Sequence, residues 1–345
     1  MGNVAAGRLE RQGKAAYRFA SMAAKTFPIL FIASANLSEA VLASGLLKKL
    51  YDEAPNPRFT IVADPKVAPL FAEMPKVERI LVSRKKSSPR RWLGLLGPIR
   101  ARRWALVVDA PAGVTTGRLR PRGKALRRRH EEPAHKLIEA ARLMRLEDEP
   151  PAPFLFTAPA TEARAKALTE GGGPILAVAP GAEWMGKAWP PERFAEVARR
   201  LLAAGGPLPE GRLMILGSAS ESHAADALRS VTSRHRTIDL VGKVDLLTAY
   251  AALRNARLYI GNDTWFSQLS AAAGAPTLAL FGPSDDRIWR PWGANVRVVR
   301  GARTLEDIRK VDPTLTAAVS HMVDLSAESV FTAAEALLEE TALGV

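Results

Sequence analysis

The stretch Ile175–Pro190, ILAVAPGAEWMGKAWP, decides how this chain is read. Its first five residues are apolar and lie between Gly171–Pro174 and Pro180-Gly181. A short apolar run bounded by turn residues reads as a buried strand of a parallel sheet. Pro190-Pro191 then opens a helix, because proline in a first turn loses no hydrogen bond. The loop between strand and helix sets backbone N–H groups and one lysine, Lys187, beyond a strand end. That is a sensible place for a diphosphate. An ordinary surface lysine in a strand-to-helix loop fits the same residues, so the loop alone leaves function open.

Outward from this point the same rhythm recurs. After it, strands are expected at Leu213–Gly217, Thr237–Val241, Leu258–Ile260 and Thr277–Phe281, and helices at Pro191–Ala203, Ser220–Ser230, Asp245–Arg254 and Thr264–Ala273. Before it, strands are expected at Ile29–Ser34, Phe59–Ala63, Arg79–Val82 and Ala105–Asp109, and helices at Glu39–Leu50 and Val67–Ala72. Alternation of this kind predicts parallel sheets covered on both faces. Asp148–Pro159, rich in proline, and Glu170–Pro174, with three glycines, have linker composition. The expectation is therefore an α/β chain of two doubly wound Rossmann-like domains with an interdomain cleft. The divisions are a basic extension over 1–26, a first domain over 27–160 and a second over 161–345. A terminal helix, Ala327–Leu338, could pack back on the first domain.

Composition narrows the chemistry. The chain has 345 residues, no cysteine and five histidines. Disulfides and cysteine-based zinc sites are excluded, and the histidines show no metal-ligand spacing. The expected metal site is therefore none. Lysine and arginine exceed aspartate and glutamate by 14, which points to acidic partners. The charge concentrates in Arg84-Lys85-Lys86 with Arg90-Arg91, and in Arg118–Arg129. These read either as solvated loops or as a docking surface for an acidic acceptor or an anionic membrane. Aromatic residues do not interleave with them, so nucleic acid is not an expected partner. No apolar run reaches the roughly 18–20 residues of a membrane span. The basic N-terminal residues before Phe27–Ala33 imitate a secretion signal, but an amphipathic helix leading into the first strand explains them better.

Two further loops fall on the same sheet edge as Lys187. Gly261-Asn262-Asp263-Thr264 ends a strand and opens a helix, with Asp263 or Thr264 as its cap. Gly217 ends one strand, and Gly282-Pro283-Ser284 ends another with small residues that let a ligand come close. With Val178–Pro190, Leu216-Gly217-Ser218, Glu221, Ala271–Pro276, Leu280–Ser284 and Trp289-Arg290-Pro291-Trp292-Gly293, these segments resemble glycosyltransferase family 9, the ADP-heptose:lipopolysaccharide heptosyltransferases. The resemblance spans Pro28 to about Arg300 and is tightest in the second half.

That resemblance implies a GT-B fold and an inverting, metal-free transfer from a nucleotide-sugar donor held by the second domain. It implies an acidic glycolipid or oligosaccharide acceptor facing the first domain, and a cytoplasmic enzyme peripheral to the inner membrane. Lys187 matches the family lysine that neutralises donor phosphates. Gly181, Gly217, Asp263, Thr264, Trp265, Gly282 and Pro283 would line the donor site. Asn36–Gly45 resembles the segment that carries the catalytic aspartate, which falls on Glu39. The chain departs from the pattern at Ser38 and Glu39, at Trp265 in place of glycine, and at Gln268 in place of histidine. A catalytically weakened relative that binds nucleotide or glycan without transfer is the alternative.

Overall fold

The computed structural model describes residues 26–82, 97–111, 124–127, 132–316 and 318–342. The basic N-terminal extension, Arg84–Arg91 and most of Arg118–Arg129, including all of its arginines but Arg127, lie outside the described residues.

The described chain divides into two compact units. In one, strands β1 (Phe27–Ile32), β2 (Pro57–Ala63), β3 (Val77–Val82), β4 (Leu106–Asp109) and β5 (Lys124–Arg127) form a parallel sheet in the order β3-β2-β1-β4-β5. Leu30, Ile32, Val62, Ile99, Trp104 and Val107 form a core cluster there. The other sheet contains β6 (Ile175–Ala179), β7 (Arg212–Ile215), β8 (Thr237–Asp239), β9 (Ala256–Asn262), β10 (Thr277–Phe281) and β11 (Val296–Arg300), in the order β11-β10-β9-β6-β7-β8. All its pairings are parallel. The expected α/β class and both parallel sheets are present.

The units do not divide at 160/161. The second unit takes in the chain from residue 132 onward and also Asn36–Gly45. The reason lies in packing. The helix Leu37–Leu42 lies on the helix Trp265–Ala272, and the proline-rich stretch expected to be a linker is fastened instead. Phe154 N–H donates to Ser44 Oγ at 2.9 Å, and Leu155 is buried with its N–H 3.4 Å from the Tyr250 hydroxyl. At Gly45 a Cβ would sit 2.5 Å from the Pro151 carbonyl oxygen, so only glycine permits this approach.

The single helix expected over Glu39–Leu50 is two, Leu37–Leu42 and Ser44–Glu53. The Ser44 hydroxyl turns back to donate to Val41 O at 2.6 Å, a local bond that competes with helix continuation. The terminal helix Ala327–Ala342 packs on the helix Pro191–Leu201 and on β9, β10 and β11 of its own sheet, with Val330, Ala334, Leu337 and Leu338 in the core. Those four residues complete the apolar cover of the second sheet.

Candidate functional site

The order β11-β10-β9-β6-β7-β8 has one topological switch point. From β6 the chain builds outward through β7 and β8, then crosses to β9 and builds the other way. Ligands of doubly wound sheets bind beyond the carboxyl ends of the strands at such a point. The two loops that flank it follow β6 and β9, and these carry Lys187 and Asp263.

The β6 loop tightens into a single turn at Met185–Lys187. Lys187 Nζ donates to Asp263 Oδ2 at 2.7 Å. The lysine is 30% exposed and the aspartate 7%, so the cation stays within reach of solvent while its partner is fixed. Asn262, fully buried, stitches the two loops together. Its Nδ2 donates to the carbonyls of Pro180 and Gly181, and its Oδ1 accepts from Trp189 N–H. Thr264, not Asp263, caps the helix Trp265–Ala272, accepting from Phe266 N–H. Asp263 is thereby left to hold Lys187.

Two of the glycines expected to line a ligand, Gly181 and Gly282, also pack closely against protein groups. A Cβ on Gly181 would lie 2.7 Å from Glu221 Cδ, and Glu221 is held by the Ser218 hydroxyl and N–H in a capping box. A Cβ on Gly282 would strike Met322 Sδ. Its missing side chain admits residues 321–322. Gly217 has ordinary room towards Val241. Buried Pro283 continues the β10 loop, pinned by Arg300 through the carbonyls of Gly282 and Ser284.

The departures from the family pattern also have structural settings. The half-buried Trp265 indole stacks on its neighbour Phe266, centroids 3.7 Å apart. Gln268 is buried, and its Nε2 donates to Trp289 O at 2.7 Å. Its Oε1 is buried without a hydrogen-bond partner among the described residues.

Glu39 sits in the first turn of Leu37–Leu42, where Asn36 caps its N–H. Lys136 Nζ lies 3.8 Å from Glu39 Oε1, 2.9 Å from Glu139 Oε2 and 5.2 Å from the centroid of the Trp289 ring. Next to it, His135 Nε2 donates to Arg290 O at 2.8 Å while Nδ1 accepts from Leu137 N–H. The His135 ring also meets Trp292 at 5.1 Å. Burial, above all, holds the His135 pKa below its ordinary value, partly offset by the bond to Arg290. Lys136, Glu139 and His135 were missed in the sequence. Lys136 lies 97 residues from Glu39, and no local spacing announces the pair.

Among the described residues no cluster of three or more His, Cys, Asp or Glu could hold a metal ion. None of their helices is long and apolar enough to cross a membrane.

Comparison with known proteins adds sequence relationships to this geometry. Residues 127–317, more than half of the chain, match the model of glycosyltransferase family 9 (heptosyltransferase). Lipopolysaccharide heptosyltransferase 2 of Salmonella typhimurium is 26% identical over 171 residues, 48% of this chain and 47% of that protein. The chain thus spans about half the length of the curated relatives it matches. The structure of E. coli ADP-heptose lipopolysaccharide heptosyltransferase II aligns with a TM-score of 0.70 at 20% identity, covering 91% of this chain and 99% of that one. The E. coli heptosyltransferase WaaC, solved with ADP, aligns with a TM-score of 0.67 at 16% identity, covering 90% and 99%. These likenesses give the fold, which is that of the GT-B heptosyltransferases. The family match gives the membership: this chain belongs to glycosyltransferase family 9.

Proposed function

We propose that this protein transfers a sugar, heptose or a close relative, from a nucleoside-diphosphate donor to a lipopolysaccharide-core or similar envelope glycan. The observation that carries the reading is the Lys187–Asp263 pair at the switch point of the second sheet, in a member of family 9. ADP is the first nucleotide to test, since the solved relatives of this fold include an ADP-heptose heptosyltransferase and a heptosyltransferase holding ADP.

In this reading Glu39 is the general base. It takes the proton of the acceptor hydroxyl as that oxygen attacks the anomeric carbon, and the nucleoside diphosphate leaves from the opposite face with inversion. Lys187 stabilises the charge that develops on the leaving diphosphate, and the first-turn N–H groups of Trp265–Ala272 add to it. Asp263 orients the ammonium. No metal enters the scheme, because a lysine and helix amides can carry the role that a divalent cation would otherwise play. The Glu39 carboxylate reaches one methylene further than the family aspartate, and Lys136 gives it a cationic partner at that reach.

Release of nucleoside diphosphate from ADP-, UDP- and GDP-linked sugars, with a lipopolysaccharide-core acceptor and with or without EDTA, tests the scheme. Turnover lost on chelation and restored by magnesium would overturn the metal-free mechanism. Nucleotide binding without any transfer would favour the binding-only reading, to which Trp265 and the Gln268 amide bound to Trp289 O give specific support.

The acceptor partner is acidic in this proposal, and the site of action is the cytoplasmic face of the inner membrane, reached through Arg84–Arg91, Arg118–Arg129 and the basic N-terminal stretch. Each basic residue near an anionic surface adds about 1 kcal/mol at low salt. Equal sedimentation with neutral and anionic vesicles would remove that part.

A further inference from the structure

The family match ends at residue 317, yet the chain just beyond it holds the lysine loop. Ser320 Oγ donates to Ala188 O at 2.6 Å, and His321 N–H donates to Gly186 O at 3.1 Å. Those two carbonyls belong to the residues immediately before and after Lys187. The brace is itself anchored. His321 Nε2 lies 3.0 Å from Asp312 Oδ2, with both side chains buried, and the His321 ring meets Trp184 at 5.8 Å. Arg303 donates to His321 O at 2.9 Å. Further along, Leu325 O accepts from the indole N–H of Trp189, the residue that closes the loop.

Lys187 sits in one short turn, and its side chain has four rotatable bonds. Where its ammonium can go depends on how firmly the backbone is held on either side. An error of about 1 Å in placing a charged group can cost roughly 100-fold in rate.

We propose that Ser320 and His321, the contact points, and Asp312, their anchor, form a positioning device for Lys187, and that they set affinity for the donor diphosphate. The inference rests on the reading of Lys187 as the diphosphate cation. Ser320 and His321 touch no substrate in it; they act through the backbone of the loop.

Calorimetry with ADP, UDP and GDP on the full chain, alongside melting temperatures, tests this. Ser320→Ala should weaken the preferred nucleotide roughly three- to tenfold, the size of one net hydrogen bond, and Ser320→Thr should restore most of it. Lys187→Ala should weaken it further, and adding Ser320→Ala to Lys187→Ala should change nothing more. A His321→Leu/Asp312→Leu double variant, which leaves no buried charge unpaired, should reproduce the Ser320→Ala loss while still melting cooperatively. The proposal is overturned if Ser320→Ala costs the same with and without Lys187, or costs nothing while Lys187→Ala is weakened. If Lys187→Ala binds as the wild type does, the diphosphate reading falls first and the positioning role with it.

Discussion

The Lys187 and Glu39 clusters have opposite designs. At Lys187 one cation faces one buried carboxylate across two adjacent strand ends, and the loop is pinned on both sides. At Glu39 one cation, Lys136, is shared between two carboxylates and an aromatic face, on short helices brought from distant parts of the chain. The first arrangement keeps a positive charge near the sheet edge, as binding a diphosphate requires. The second holds a carboxylate by a long contact, as a proton acceptor that must still reach a substrate requires. In the proposed scheme, anion binding would rest on loops at the sheet edge, and proton transfer on an element that packing alone assigns to this unit.

Substitutions can break this contrast or sharpen it. The largest effect is expected at Glu39. Glu39→Gln keeps the shape and removes proton acceptance, so transfer should fall by roughly 100- to 10,000-fold while nucleotide affinity stays put. Wild-type turnover in that variant would erase the distinction between the clusters. Glu39→Asp should keep part of the activity. Lys187→Ala should do the reverse, weakening nucleotide by roughly 10- to 100-fold, as expected for a charged hydrogen bond. Unchanged affinity by calorimetry would take Lys187 out of the site.

The next effect is on stability alone. Gly282→Ala drives a methyl group into Met322, and overpacking of this kind costs about 1–3 kcal/mol. Denaturant unfolding would read it, and an unchanged midpoint would show that the 321–322 segment yields freely. Lys136→Met should lower turnover several-fold at unaltered nucleotide affinity, and Lys136→Arg should recover it. A matching loss of nucleotide binding would merge the two clusters into one.

The smallest expected effect is at His135. Its folded-state pKa lies below the ordinary 6.5, so the unfolded chain takes up a proton first as the pH falls. Stability is therefore complete above about pH 6.5 and is lost as the pH drops from there toward the folded-state value. A proton on Nδ1 would also face the Leu137 N–H that this nitrogen now accepts. Unfolding measured between pH 7.5 and 5 should lose a fraction of its slope in His135→Phe; identical slopes would place the pH dependence elsewhere.

The strands at Ile29, Phe59, Ile175, Leu213 and Thr277 were readable because a strand buried on both faces must be an apolar run between turn residues. β5 and β11 were not. LysAlaLeuArg at 124–127 and ValArgValValArg at 296–300 lie at sheet edges, where arginine and lysine are tolerated. The loop after β6 stood out for a similar local reason: strand, Pro-Gly, lysine and Pro-Pro lie within one short stretch. That Gly181 packs against Glu221 and Gly282 against Met322 was not legible, because both partners are distant in the chain.

By itself, then, the sequence determined the two parallel sheets, the position of Lys187 and Asp263 beyond strand ends, and the family. These follow from periodicity and turn chemistry, which act over a few residues. Only the tertiary structure decided that Lys136 meets Glu39, that residues 320 and 321 flank Lys187, and that the helix after β1 belongs with the second sheet. Each of those joins segments roughly 100 or more residues apart, and which buried surfaces meet is settled by how the whole chain packs.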